Sequence, residues 1–180
     1  MKRLLHLLFC LPLFVLAYGQ NITFHDFKVK DIQGNEFDLA SLKGKKVLVV
    51  NVASKCGLTP QYKVLQAMQE RYGDDKFTVI AFPANNFGQQ EPGTNKEIEA
   101  FCTHTYNVTF PVMEKISVKG NDMAPVYQWL TQKSQNELKD SEVTWNFQKY
   151  LIDEEGCLVD FTSPRTQPDD PRIIEWIEGE

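Results

Sequence analysis

Cysteine is sparse in this chain: Cys10, Cys56, Cys102 and Cys157 are the only four in 180 residues, and no two form a Cys-x-x-Cys pair. That absence argues against an ordinary dithiol oxidoreductase, and gaps of 46 and 55 residues between the last three match no zinc pattern. Histidine is scarcer still. His6, His25 and His104 stand in no supporting motif, which argues against a cysteine protease. The chain has no basic run or aromatic–basic stripe, and with a net charge of -5 it is a poor nucleic-acid binder. Repeats and low-complexity tracts are also missing, which excludes solenoids. What remains is enough for one globular domain with a real core and too little for two.

The first nineteen residues read as a signal peptide rather than as fold. Lys2 and Arg3 form a short positive segment, Leu4 to Leu16 is almost wholly apolar, and Ala17-Tyr18-Gly19 ends in small residues. The apolar run is shorter than a membrane span requires, so no stable membrane insertion is expected after cleavage. Cleavage after Gly19 leaves a single domain, 20–180, and takes the formal charge from -5 to -7. The expected location is periplasmic or secreted. Cys10 leaves with the leader, and three cysteines remain, so at least one thiol is free or reactive.

The most informative stretch is Lys46-Val47-Leu48-Val49-Val50-Asn51-Val52-Ala53-Ser54 followed by Lys55-Cys56-Gly57-Leu58-Thr59-Pro60. The β-branched run predicts a buried strand. Thr59 reads as an N-cap with Pro60 at the first helical position, so Cys56 falls in the turn between strand end and helix start. Unpaired N–H groups and the helix dipole favour a thiolate there, and Lys55 adds a cation. An exposed thiolate suits a redox nucleophile, which can attack a peroxide O–O bond and become a sulfenic acid. Neutral donors nearby would stabilise charge on the leaving oxygen.

The rest of the chain frames that turn. Phe24–Ile32 and Glu36–Leu42 predict a hairpin across Gln33-Gly34-Asn35. Tyr62, Leu65, Met68 and Tyr72 form one helical face that ends at Gly73. Phe77–Phe82 predicts a second buried strand, parallel to the first through a right-handed crossover, and ligands gather at the carboxyl ends of such strands. The loop from Pro83 to Gly93 starts at that end. Thr94 and Glu97 predict a capping box for a short helix carrying Ile98, Phe101 and Cys102. Further expectations are an edge strand over Phe110–Ile116 and a helix over Asp122–Lys133. A hairpin should join Trp145–Asp153 to Cys157–Phe161, and a last helix should be capped by Asp170. Strands and helices alternate, which is the pattern of an α/β fold. Cys157 reads as structural. Asn21-Ile22-Thr23 and Asn107-Val108-Thr109 are glycosylation sequons.

Three segments resemble one family. Asn51-Val52-Ala53-Ser54-Lys55-Cys56-Gly57-Leu58-Thr59 is similar to the cysteine or selenocysteine signature of the glutathione peroxidases. Phe82 to Gly93 resembles their second signature, and Trp145-Asn146-Phe147-Gln148-Lys149-Tyr150 their third. The resemblance covers roughly Ile22 to Ile177. It implies a thioredoxin-like fold, a central mixed sheet flanked by helices with an N-terminal β-hairpin. It also implies a site of Cys56 as peroxidatic cysteine with Gln90, Trp145 and Asn146 as donors. The position of Cys102 resembles that of the resolving cysteine in thioredoxin-dependent members, where a disulfide with the peroxidatic cysteine forms. Ala84 departs from the many members that carry a further cysteine there, and Asn86 stands in place of a glutamine.

The resemblance implies a thiol peroxidase acting on hydrogen peroxide and organic or lipid hydroperoxides, with no cofactor and no metal. The implied reductant is a thioredoxin-like protein, with glutathione and a one-cysteine cycle as the alternative. The short polar segment Gln132–Val143 implies a monomer. A peroxide sensor and a non-catalytic thioredoxin-like module are the rival readings of the same residues.

Overall fold

The strand Lys46–Val52 lies at the middle of the molecule, because its side chains have two apolar faces to fill. A computed structural model describes residues 21–73 and 76–179. The expected leader 1–19, with its cleavage point, lies outside the described residues. Two short strands, β1 (Lys28–Lys30) and β2 (Glu36–Asp38), form the N-terminal antiparallel hairpin. The order then runs β3 (Lys46–Val52), α1 (Gln61–Tyr72), β4 (Phe77–Pro83), α2 (Asn95–Tyr106), α3 (Pro125–Thr131) and α4 (Lys133–Asn136). It closes with β5 (Lys149–Ile152), β6 (Leu158–Thr162) and α5 (Pro171–Glu178).

The main sheet has the order β4-β3-β5-β6. β3 pairs in parallel with β4 and antiparallel with β5, and β5 pairs antiparallel with β6, so the sheet is mixed as expected. Successive β3 side chains go to opposite faces. Val47 and Val49 pack with Tyr127, Trp129 and Leu130 of α3 on one side. Leu48, Val50 and Val52 pack on the other with Tyr62, Leu65 and Met68 of α1, Ile98 and Cys102 of α2, and Ile173 of α5. At about 25 cal/mol per Å2 of apolar surface, a strand buried on both faces is a major share of the driving force for folding.

Several expected boundaries shift. The helix expected over Asp122–Lys133 is α3, shortened because Pro125 occupies its first turn; Met123 precedes it and only partly enters the core. The expected edge strand over Phe110–Ile116 is reduced to single bridges, Val112 with Ala81 and Met113 with Asp31. Pro111 explains this: its carbonyl accepts from Ala81 N at 3.0 Å, but it has no N–H with which to extend a ladder. α2 has 12 residues, three full turns rather than a short helix, and is opened by the expected Thr94–Glu97 capping box. Asp170 caps α5 through Arg172 N as expected. Among the described residues, no helix is long and apolar enough to cross a membrane, and no acid, cysteine and histidine group could hold a metal ion.

Candidate active site

Cys56 sits where β3 has ended and α1 has not begun. Its Sγ accepts the Leu58 N–H at 3.4 Å, a donor directed at the sulfur. The turn is closed by Thr59 in a way the sequence did not suggest. Instead of capping α1, the Thr59 hydroxyl accepts from Cys56 N at 3.0 Å and donates to Ala53 O at 2.8 Å. The residue spans the turn and fixes the cysteine's backbone. Cys56 is not an exposed thiol, since only 8% of it meets solvent, and that part opens into a cleft.

The second loop is docked onto this turn. Lys55 N donates to Gln90 O at 2.9 Å, and Ser54 Oγ donates to a Glu91 carboxylate oxygen at 3.0 Å. Glu91 is almost fully buried, and burial raises its carboxyl above the usual range against the Ser54 hydrogen bonds and the Lys115 charge. Lys115 in turn donates from Nζ to Glu91 O and Gly93 O, at 3.2 and 2.6 Å. Gly88 and Gln89 both have positive φ, 59° and 54°, so the chain folds back to bring Gln90 round. The Asn86 substitution also has a place. Its amide donates to Ser117 Oγ and Lys119 O and accepts from Val118 N, tying the loop to the segment before α3.

The third segment is organised by Asn51, a fully buried polar residue inside an apolar strand. Its Nδ2 donates to Trp145 O at 3.0 Å, its Oδ1 accepts from Gln148 N at 3.2 Å, and its own carbonyl accepts from Phe147 N at 2.6 Å. Trp145 therefore lies in an irregular loop before β5 rather than at a strand start. Phe147, at φ 69°, makes the left-handed step into the strand. The indole packs against Phe87 at 5.6 Å between centroids and is 40% exposed.

These contacts bring the expected site residues together in two ways. Cys56 and Trp145 line one cleft of about 700 Å³, with Gly57, Leu58, Thr144, Ser163, Pro164 and Arg165. Gln90 and Asn146 are bonded to each other, Asn146 Nδ2 donating to Gln90 Oε1 at 3.0 Å. That bond turns the Gln90 amide so that its nitrogen is the uncommitted end. Among the described residues neither Gln90 Nε2 nor Trp145 Nε1 has a partner, so two neutral N–H donors remain for a bound molecule.

Cys102 is part of the same apolar cluster as Cys56 but does not line the cleft. It is 2% exposed, and its Sγ lies 3.5 Å from Tyr62 Oη. Burial pushes its thiol up to about 11, with Tyr62 pulling slightly the other way. Tyr62 is itself enclosed, stacked on Tyr106 and edge-on to Phe101 and Phe147. Cys56, Cys102 and Cys157 are all unbridged. Cys157 is exposed, which corrects its reading as a structural residue: it lies between the Gly156 turn and the start of β6 rather than in the strand.

Asn51, Glu91 and Thr59 are the site residues that sequence reasoning missed. A lone polar residue in an apolar strand is the one signal that could have exposed Asn51.

Comparison with known proteins places the chain among close relatives. A family model described as glutathione peroxidase matches residues 24–131. The chain is 48% identical over 155 residues to the glutathione peroxidase-like peroxiredoxin HYR1 of Saccharomyces cerevisiae, covering 86% of this chain and 94% of that protein. It is 46% identical over 147 residues to the glutathione peroxidase homolog BsaA of Halalkalibacterium halodurans, covering 82% and 93%. A crystal structure of Trgpx in apo form superposes with a TM-score of 0.67 at 42% identity, over 87% of this chain and 96% of that one. A thioredoxin-family thiol:disulfide interchange protein of Chlorobium tepidum, 21% identical with a TM-score of 0.58, shares the fold.

Proposed function

The chain belongs to the glutathione peroxidase family and is a peroxidase, and on that premise we propose that its cycle runs through Cys56 and Cys102. The Cys56 thiolate attacks the terminal oxygen of a hydroperoxide. The O–O bond breaks, Cys56 becomes a sulfenic acid, and the departing alkoxide or hydroxide takes a proton to leave as alcohol or water. Cys102 then attacks the sulfenic sulfur, giving a Cys56–Cys102 disulfide and water. A dithiol protein of the thioredoxin type takes over the disulfide and returns both thiols.

The observation that carries this reading is the sulfur's position. Cys56 Sγ receives the Leu58 N–H and opens into a cleft where the Trp145 indole N–H is unpartnered, while the Gln90 backbone carbonyl is held by Lys55 N and its side-chain amide by Asn146. Donors of this kind offset charge on the leaving oxygen without a counter-ion. Asn146 acts through Gln90 as a positioning residue. The cleft is far larger than hydrogen peroxide needs, and Leu58, Trp145 and Pro164 supply apolar wall. That supports organic hydroperoxides as substrates alongside hydrogen peroxide.

The decisive experiment is peptide mapping after one equivalent of hydrogen peroxide, with turnover measured on a thioredoxin-type donor and on glutathione. A Cys56–Cys102 disulfide and faster turnover on the thioredoxin-type donor are expected. A persistent sulfenic acid with Cys102 free, and turnover on glutathione alone, would replace the two-cysteine cycle with a one-cysteine one. We further propose that the protein is exported and acts as a monomer. The apolar leader 1–19 supports export, and N-terminal sequencing of the exported protein should begin at Gln20. Sizing in solution should give the mass of one chain.

A further inference from the structure

The cleft beside Cys56 has a cationic edge that the chemistry of peroxide reduction does not use. Arg165 sits on it, and among the described residues the guanidinium has no ion pair and no hydrogen bond. It stands within the turn Ser163-Pro164-Arg165-Thr166, closed by Thr166 N donating to Ser163 O at 3.1 Å. The two side-chain hydroxyls of that turn also meet at 3.0 Å. Pro164 presets the second position of such a turn, which leaves Arg165 at its tip.

The turn is held from below by a buried amine. Lys149 is fully enclosed, and its Nζ donates to Pro164 O at 3.1 Å and to Thr166 O. Those carbonyls flank Arg165 on either side. Gln61, in the first turn of α1, donates from Nε2 to the same Pro164 O at 2.9 Å. The loop bearing Arg165 is therefore tied both to the helix that leaves Cys56 and to the strand that follows Trp145 and Asn146. Burying a lysine is costly, and the cost falls only where its hydrogens are used. Burial brings its pKa down to about 7, and an amine in either protonation state has two N–H groups for the two carbonyls.

We propose that Arg165 is a specificity-determining residue that binds the carboxylate of an acid-bearing organic hydroperoxide, with Lys149 and Gln61 as the positioning residues that hold its turn over the Cys56 cleft. The inference rests on the peroxidase reading of Cys56. An apolar wall of Leu58, Trp145 and Pro164 receives the hydrocarbon, and the guanidinium binds the acid group by a charge-assisted pair. A fatty-acid hydroperoxide has this chemistry, whereas its methyl ester has the same chain without the charge.

The test is single-turnover oxidation of Cys56 by a fatty-acid hydroperoxide and by its methyl ester, each normalised to hydrogen peroxide in the same protein. No reductant is present, so a carboxylate on glutathione or on a protein donor cannot contribute. The wild-type protein is expected to prefer the acid. Arg165→Gln should lower the acid-to-ester ratio about tenfold, the size of one good charge-assisted contact, and Arg165→Lys should retain part of it. Lys149→Met should lower the same ratio while Arg165 is still present, an effect that general destabilisation would not give, since it would slow acid and ester alike. An equal rate for acid and ester in the wild type, or an unchanged ratio in Arg165→Gln, overturns the inference while leaving the peroxidase reading intact. Failure of hydrogen peroxide to oxidise Cys56 overturns the peroxidase reading itself.

Discussion

Cys102 poses a sharp kinetic question, because a thiol held near 11 is almost entirely protonated at neutral pH. At pH 7 about one molecule in ten thousand would carry the thiolate in place, against about one in a hundred for a thiol with an ordinary value near 9. The two-unit gap makes ionisation inside the aromatic enclosure about 2.7 kcal/mol harder than ionisation outside it. Leaving the enclosure first is therefore the faster route whenever opening costs less than that. Cys102 lies about one turn from the carboxyl end of α2, so such an opening would break the Val108 N–H bond to the Cys102 carbonyl and the Thr109 N–H bond to Gln66. Two different values are expected from one protein. In a Cys56→Ser variant at rest, the Cys102 thiol should titrate near 11. In the wild type after one equivalent of peroxide, the rate of sulfenic acid loss should rise with pH and level off near 9. Quenching with a sulfenic-acid trap between about pH 6 and about pH 10 follows that rate. A rate that climbs tenfold per pH unit through 10 would refute the opening route and place the attack inside the closed cluster.

Three further outcomes test the supports of the site. Asn146→Ala releases Gln90 Oε1 and lets the amide turn away, so the second-order rate with hydrogen peroxide should fall about 10- to 100-fold with little change in melting temperature. Glu91→Leu leaves the Ser54 hydroxyl without its acceptor and should cost about 1–3 kcal/mol in denaturant unfolding, with Glu91→Gln milder because its amide oxygen can still accept from Ser54. Lys149 gives a pH signature. Its folded value, lowered to about 7 from 10.5 by burial and only partly restored by Asp170, means the unfolded chain binds the extra proton between those limits. Stability should therefore rise with pH across that window, by at most about 1.4 kcal/mol per unit from this group, and Lys149→Met should flatten the slope in urea titrations repeated at several pH values.

The framework of the site was legible because it is written in short-range pattern. β3, the Cys56 turn, α1 and β4 follow from apolar runs and punctuation within some forty residues of chain, and the capping box of α2 from four consecutive residues. The supports were not legible, because their partners are remote. Asn51 reads as one polar interruption of a strand until Trp145, 94 residues on, is seen to need its amide. Glu91 resembles any loop carboxylate, and only the docking of its loop on Ser54 buries it. Thr59 had the right composition for a cap but found nearer partners, Ala53 O and Cys56 N, inside the turn it follows. Cys102 was legible as a position, but its helix proved longer and its thiol more deeply enclosed than a resolving role suggested.

The hydrogen bonds that join the three segments also constrain how the molecule is made. Asn146 meets Gln90 across 56 residues, and Asn51 meets Gln148 across 97. During synthesis the chain can build β3, α1, β4 and α2, with both Cys56 and Cys102, before Trp145 has been added. A nascent chain at that stage holds Cys56 in a formed turn without the Trp145 indole and without Asn146 to orient the Gln90 amide. Contacts of such sequence separation form late and slowly, so competence for peroxide arrives with the last hairpin rather than with the nucleophile.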